Sequence, residues 1–194
     1  MNLRRVNAAC GMFSAEIFVA LWIAAAFFAP DWKIGELSLS DLGICGVAGG
    51  EICFNMGCAC GGLFGVMFGI YVASHEKLQR YLGVLIIVAC FGLAGIGIVN
   101  LGYGSLHFIT ATVYALFSIV CILLSIVIDY RNGDLDFAIL SSVLLLFCLI
   151  AQITQPFVVY EPIDVACECI WIAAQSIKYM RREDSLFAST PAPA

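Results

Sequence analysis

The sequence predicts an all-α polytopic membrane protein, a six-transmembrane-helix bundle with both termini in the cytoplasm. Hydrophobic residues make up 62% of the chain and charged residues only 12%, about half the charged fraction of a typical soluble domain. The stretches 52–74, 81–128 and 137–160 contain no Asp, Glu, Lys or Arg. One crossing of a bilayer takes roughly 20 apolar residues, so the longest of these stretches is long enough to cross twice.

Turn signals divide the apolar stretches into separate helices. Pro30 ends the first helix, Gly102 and Gly104 split the longest apolar run, Asn132-Gly133 is typical of a turn, and Pro162 suits the first turn of the last helix. The predicted spans are about 8–29, 53–74, 81–100, 106–128, 136–154 and 162–180. We expect residues 1–180 to form one domain and residues 181–194 to be a disordered cytoplasmic tail.

The positions of the basic residues predict the orientation. With both termini inside, only Lys33 of the nine Lys and Arg residues lies outside, and cytoplasmic loops of membrane proteins are enriched in basic residues. We therefore expect an integral protein of the plasma membrane with N-in, C-in topology. The longest loop runs only from Pro30 to Glu51, so any chemistry must lie in the membrane, at its outer face or in that loop.

Four glycines form a regular series on helix two. Gly57, Gly61, Gly65 and Gly69 recur at every fourth residue, so they lie on one helix face, where small residues allow backbones to approach closely. This pattern favours packing of helix two against a neighbour in the same chain. A seam between two copies of the chain is the alternative.

Two acidic residues, Glu16 and Glu168, lie inside apolar spans, where acids are costly and are functional candidates. No Lys or Arg lies at mid-membrane to neutralise them. The predicted spans place each glutamate about 9 Å from opposite faces of a roughly 30 Å core, so we do not expect them to pair. For Glu16 the alternative to a functional role is that its side chain extends to the inner membrane interface, where the carboxylate is solvated.

Polar residues collect at the outer ends of the predicted helices and form what we call the crown. On helix six, Glu161, Asp164, Glu168 and Gln175 form a polar stripe on one face that should point into the bundle, and Asp164 and Glu168 of this stripe belong to the crown. Further polar residues at the same depth are Asp41, Glu51, Asn55, Asn100 and His107. The crown can hold a lipid headgroup, a metal or an ion, or it can satisfy helix ends and order the long loop.

Ten cysteines are many for a chain of this length. Cys45 and Cys53 lie on or near the outer loop and could form a disulfide if that compartment is oxidising. Pairs separated by one residue on a helix point in different directions, so they do not form a joint metal site. With two histidines on opposite sides, the sequence indicates no metal and no cofactor, and the acidic pI argues against nucleic acid as a partner.

Two short segments resemble a known group of membrane proteins. The stretch Leu39-Ser40-Asp41-Leu42-Gly43, followed by Glu51-x-x-Phe54-Asn55 and by His107 at the start of helix four, resembles a prokaryotic six-helix family of unknown function. It is also similar to the DRAM autophagy-modulator proteins and the GPI-anchor-remodelling (Frag/PGAP-type) proteins. The resemblance implies a link to membrane lipids, adds Ser40 to the crown, and singles out Ser40, Asp41, Gly43, Glu51, Phe54, Asn55 and His107.

Three functions are compatible with these features. The first is a non-catalytic protein that binds or organises lipid through the crown, or a helical subunit of a larger membrane complex or homo-oligomer. The second is a lipid-modifying enzyme in which Asp41 or Glu51 acts as a base with His107 or Glu168 as its partner. The third is a small proton-coupled transporter that uses Glu16 and Glu168. The short loops and the absence of a catalytic triad pattern favour the first, and the enzyme and the transporter stay as alternatives.

Overall fold

The computed structural model of the chain describes residues 3–188, and the described part is helical almost throughout. It contains six α-helices, with two 3₁₀ helices between them. The bounds are α1 Leu3–Phe28, α2 Ala48–Ala73, α3 Leu78–Ile98, α4 Ser105–Asn132, α5 Leu135–Thr154 and α6 Phe157–Ala188, with η1 Leu39–Ile44 between α1 and α2 and η2 Leu101–Tyr103 before α4. Helices α1 to α5 are long and apolar enough to cross a membrane, as expected for a polytopic helical membrane protein.

The six helices form a closed ring. Each helix packs against the next one in the chain, and α1 packs against α6. Arg5 at the start of α1 pairs with Asp184 near the end of α6 at 2.8 Å, so both ends of the described chain lie at the same end of the bundle. We call this the termini end, and the opposite end, which carries η1 and the starts of α2, α4 and α6, the loop end.

Helix α6 differs from its prediction at both ends. It starts at Phe157, directly after Pro156, so Pro162 lies inside the helix rather than in its first turn, and the Val158 carbonyl has no N–H at position 162 to accept from. Because α6 carries acidic and basic residues, it is not among the helices whose length and composition alone are sufficient to cross a membrane. It is held instead by its packing against α1 and α5.

The prediction of a disordered tail from residue 181 is wrong for residues 181–188, which continue α6. The reason is tertiary, because this segment packs on the bundle. Glu183 is only 4% exposed, and its carboxylate accepts a 2.7 Å hydrogen bond from the Tyr71 hydroxyl. The remaining tail residues, 189–194, lie outside the described residues.

Helix α4 is also longer than predicted, and it ends at the Asn-Gly signal rather than before it. Gly133 adopts a left-handed conformation (φ 79°) and caps the helix through its backbone N–H, as glycine commonly does after a helix. Asp129, one residue beyond the predicted span 106–128, is therefore helical and completely buried.

Asp129 belongs to a buried polar network that closes the termini end of the ring. It pairs with Lys178, and its other carboxylate oxygen accepts a 2.9 Å hydrogen bond from Gln175 Nε2. Nearby, Arg182 pairs with Asp134, and the Ser176 hydroxyl donates to the Ala8 carbonyl at 2.6 Å. These bonds attach α6 to α4, α5 and α1.

The glycine face of α2 is buried inside the ring. A Cβ at Gly57 or Gly61 would contact α1 around Phe18 and Leu21, whereas one at Gly69 would lie 3.0 Å from the Gly83 carbonyl oxygen of α3. Gly65 lies between both neighbours, against Ser14 of α1 and Cys90 of α3. The face is thus covered within one chain.

Candidate functional site

A cavity of about 590 Å³ lies inside the ring at the loop end. All six helices and η1 contribute to its walls. Most of the lining is apolar and includes Phe54, Leu93, Ile96, Ala111, Ile122 and Leu145. The volume lies within the range of small-molecule sites, roughly 300–1,000 Å³.

The wall of the cavity includes two exposed aromatic residues at the loop end. Phe108, near the start of α4, and Phe157, at the start of α6, both line the cavity and are 61% and 51% exposed. The exposed surfaces of α4 and α5 carry Leu, Ile, Val and Phe side chains, as expected for helices that face lipid.

The segment η1 lies over one wall of the cavity and is held by side chains on both sides. The Asp41 carboxylate accepts from the Ser38 backbone N–H at 2.8 Å and from the Ser38 hydroxyl at 2.7 Å, which closes the first turn in the manner of a capping box. From α6, the Glu161 carboxylate accepts from the Leu39 N–H at 2.8 Å, and from α2, the Asn55 amide donates to the Gly43 carbonyl at 3.1 Å.

His107 connects this segment to α4. Its Nδ1 lies 2.8 Å from the Val99 carbonyl oxygen and its Nε2 lies 3.1 Å from the Ser40 hydroxyl. A carbonyl can only accept, so Nδ1 carries a proton. In the neutral ring Nε2 is then the acceptor, and the Ser40 hydroxyl donates to it. His107 is only 2% exposed, and both residues line the cavity.

One face of α6 makes the cavity acidic. Glu161, Asp164 and Glu168 line it, as their shared face predicts. One Asp164 oxygen accepts from Gln152 Nε2 at 2.6 Å, and the hydroxyls of Tyr114 and Ser118 face the Glu168 carboxyl group. The second Asp164 oxygen, Oδ1, and the Glu168 oxygen Oε2 are buried without a hydrogen-bond partner.

The structure divides the predicted crown into two groups. Ser40, His107, Asp164 and Glu168 line the cavity. The residues Asp41, Glu51, Asn55 and Asn100 do not line it and instead hold loop backbone. Beyond the bonds of Asp41 and Asn55, the Glu51 carboxylate accepts from Gly46 N–H at 2.8 Å, and Asn100 Oδ1 accepts from Gly102 N–H at 3.1 Å.

The other predicted residues lie away from the cavity. Glu16 is on the exposed face of α1, whereas Glu168 is buried, so the two intramembrane acids face different surroundings. Cys45 and Cys53 are both free thiols in this structure, so the disulfide considered above is not formed. Within residues 3–188, no group of three or more His, Cys, Asp or Glu side chains has the arrangement of a metal site.

Sequence reasoning missed two contributors to this architecture. Asp129 and Lys178 lie near predicted span ends, where charged residues are ordinarily solvated, so nothing in the sequence indicated that they pair in the interior. Their separation of 49 residues carries no local signal. The cavity itself was also not predictable, because residues of all six helices form its walls and no one helix carries its signal.

The comparisons with known proteins identify a family but no characterised relative. Residues 12–178 match the family described as "Protein of unknown function (DUF998)". No curated protein and no solved structure matches the chain, so the similarity to the DRAM and Frag/PGAP-type proteins stays a prediction. The match extends from α1 into the last third of α6 and includes every residue that lines the cavity. The chain therefore belongs to the DUF998 family of proteins of unknown function.

Proposed function

We propose that this membrane protein binds a membrane lipid or a lipid-like amphiphile in the cavity at its loop end. The observation that carries the proposal is the cavity itself, with apolar walls for a chain and polar groups at one side for a head. The hydrogen bonds that hold η1 over it, from α2, α4 and α6, would keep the site preformed. Preformed, mostly apolar cavities with a few oriented polar groups are typical of small-molecule sites.

The test is the lipid content of protein purified in mild detergent from its native membrane. Ala111 lines the cavity, so Ala111→Trp should fill it and displace the bound molecule. Ala20, on the exposed face of α1, provides the matched control Ala20→Trp. We expect one lipid class to be retained by the wild type and by Ala20→Trp and to be lost from Ala111→Trp. The same mixture of bulk lipids in all three samples would refute the proposal.

A second candidate function, lipid-ester hydrolysis, is favoured by the bond between Ser40 and His107. Asp41 and Glu51, considered above as bases for this function, do not line the cavity, and their carboxylates accept from loop N–H groups. The His107 ring is held by the Val99 carbonyl with Nε2 toward the Ser40 hydroxyl. In its neutral form it is oriented to take a proton from Ser40, which is the arrangement of an activated nucleophile. Ser40 Oγ would bond to an ester carbonyl carbon while its proton passes to Nε2 and then to the departing alcohol. Water would hydrolyse the acyl-serine.

A fluorophosphonate probe, which reacts covalently with activated serines, tests this second function. Labelling of the folded protein should be lost in Ser40→Ala and reduced by about 10²-fold or more in His107→Gln, since general-base catalysis commonly contributes that much. Ser38→Ala is the control, because the Ser38 hydroxyl lines the same cavity but donates to Asp41. If Ser40→Ala is labelled as strongly as the wild type, or if neither protein is labelled, the bond between Ser40 and His107 has a purely structural role.

A further inference from the structure

The cavity holds acidic groups without a basic partner. Glu161, Asp164 and Glu168 line it, and no Lys or Arg is among the described residues of its walls. His107 uses its two ring nitrogens on the Val99 carbonyl and the Ser40 hydroxyl, so it is not the partner of these acids. Acids inside a membrane protein are costly unless they are paired or solvated, so this wall of the cavity is suited to a positive charge.

Two of these acids also have unused hydrogen-bonding capacity. Asp164 Oδ1 and Glu168 Oε2 are buried without a partner, and Glu168 is only 9% exposed. Buried polar atoms in folded proteins are nearly always paired, and leaving an acceptor unpaired is unfavourable. The two residues are four positions apart on α6, which separates them by about 6 Å along the helix axis.

We propose that the ligand of this cavity is an amphiphile whose head is a protonated amine. This inference rests on the proposed lipid-binding function and specifies the ligand. An ammonium group has three N–H donors and no acceptor, so it can donate to Asp164 and Glu168 together, in charge-assisted bonds. The attached chain lies against the apolar walls formed by α2, α3 and α4. A phosphate or sulfate at the same place is repelled by the acids.

Three probes with the same dodecyl chain and different heads test the proposal: dodecylamine, dodecyltrimethylammonium and dodecanol. Saturable binding of radiolabelled dodecylamine to the purified full-length protein is measured, and the other two probes compete with it. We expect dodecylamine to bind about tenfold or more tightly than dodecanol, because hydrogen bonds to charged groups are stronger than neutral ones. Dodecyltrimethylammonium, which has no N–H donor, should also compete less well than dodecylamine.

Variants identify the residues responsible. Glu168→Gln and Asp164→Asn should each reduce the preference for dodecylamine over dodecanol while leaving dodecanol binding in place. Glu16→Gln removes a glutamate from the same membrane-spanning bundle, but on the exposed face of α1, and should keep the full preference. If Glu168→Gln does not fold, Asp164→Asn provides the same comparison from the more accessible of the two acids.

The outcomes separate this inference from the function on which it rests. Dodecanol binding as tightly as dodecylamine overturns the inference and leaves lipid binding intact, as does an unchanged preference in both acid variants. Equal binding of the two cationic probes overturns the hydrogen-bonded placement of the amine. If none of the three probes binds saturably, or if Ala111→Trp binds them unchanged, the lipid-binding proposal fails as well.

Discussion

Asp129 and Lys178 are an oppositely charged pair withdrawn from water, with exposures of 0% and 2%. Gln175 bonds to both partners, so most of their hydrogen-bonding groups are satisfied. Transfer of each charge into the interior is costly, and the attraction between the two roughly offsets this cost when the geometry is good. The pair therefore specifies how α4 and α6 meet more than it adds to stability.

Removal of one partner should be much more damaging than removal of both. We expect Asp129→Ala to lower the free energy of unfolding by about 3–5 kcal/mol, since it leaves the Lys178 charge buried and uncompensated. The double variant Asp129→Leu/Lys178→Met, with apolar side chains in both positions, should recover most of that loss. Reversible unfolding in mixed micelles measures both.

The control for this prediction is the pair Lys33–Glu36, which is exposed and 3.8 Å apart. Lys33→Ala should change the free energy of unfolding by less than about 1 kcal/mol. A single variant Asp129→Ala that is as stable as Lys33→Ala would show that the buried pair has no structural role.

At the scale of helices, one close backbone contact between α2 and α3 lies beside the predicted glycine series. A Cβ at Gly62 would lie 2.6 Å from the Cys90 carbonyl oxygen and 2.8 Å from Ala94 Cα, both in α3. These atoms belong to the α3 backbone, so they cannot move aside as a side chain does. The four-residue spacing predicts a packing face at Gly57 and its successors, whereas Gly62, outside that series, lies against the α3 backbone. Gly83 and Gly97 of α3 meet the α2 backbone in the same way.

Gly62→Ala should lower the free energy of unfolding by about 1–3 kcal/mol, the usual cost of overpacking. Gly57→Ala is the comparison, because its Cβ would mainly meet the Leu21 side chain, at 3.0 Å, and we expect a smaller effect. Thermal unfolding in detergent, followed by circular dichroism, ranks the two. The opposite ranking would mean that the α1–α2 contact is the tighter one.

The last two turns of α6 extend the helix beyond its apolar part, and they contact three other elements. Arg182 pairs with Asp134, Glu183 bonds to Tyr71, and Asp184 pairs with Arg5. Of these three contacts, only the hydrogen bond between Glu183 and Tyr71 is fully buried. Amphipathic spacing along the sequence could not reveal them, because each partner belongs to a distant helix.

Truncation after Met180 should therefore lower the melting temperature by several degrees. This is the shift expected for a chain of this size when the free energy of unfolding falls by about 2 kcal/mol. Truncation after Ala188 removes none of the described contacts and is the control. Differential scanning fluorimetry with a thiol-reactive dye compares them. Equal melting temperatures of the two truncated proteins would argue that residues 181–188 are not part of the packed domain.

At the scale of the whole molecule, the ring of six helices is closed by different means at its two ends. Buried polar bonds close the termini end, whereas η1 lies over a cavity at the loop end. We propose, from the distribution of Lys and Arg, that the loop end faces outside. The structure adds that both ends of the described chain lie at the same end of the bundle.

This orientation predicts the accessibility of two thiols. A membrane-impermeant maleimide should modify Cys45, at the loop end, in intact cells, and Cys45→Ser should abolish that modified peptide in mass spectrometry. A cysteine introduced at the exposed Ser185, near the termini end, should react only after the cells are permeabilised. The reverse pattern would invert the proposed topology, while the ring and its cavity would be unaffected.

The sequence by itself determined the class of this protein and the positions of its helices. Long uncharged runs have few alternatives to membrane spans, and Pro30, the paired glycines before α4 and Gly133 act through local backbone geometry. The shared face of Glu161, Asp164 and Glu168 was likewise readable, because it depends only on the period of a helix.

Only the tertiary structure decided which polar residues face a common space. It assigned Ser40, His107, Asp164 and Glu168 to the cavity. Asp41 and Asn55 hold η1, and Glu51 holds the turn between η1 and α2. The tertiary structure also paired Asp129 with Lys178 and extended α6 into the predicted tail. The physical reason is that rotation of each helix about its axis, and the closure of the ring through α1 and α6, depend on packing among residues distant in the chain, for which a single sequence has no local signal.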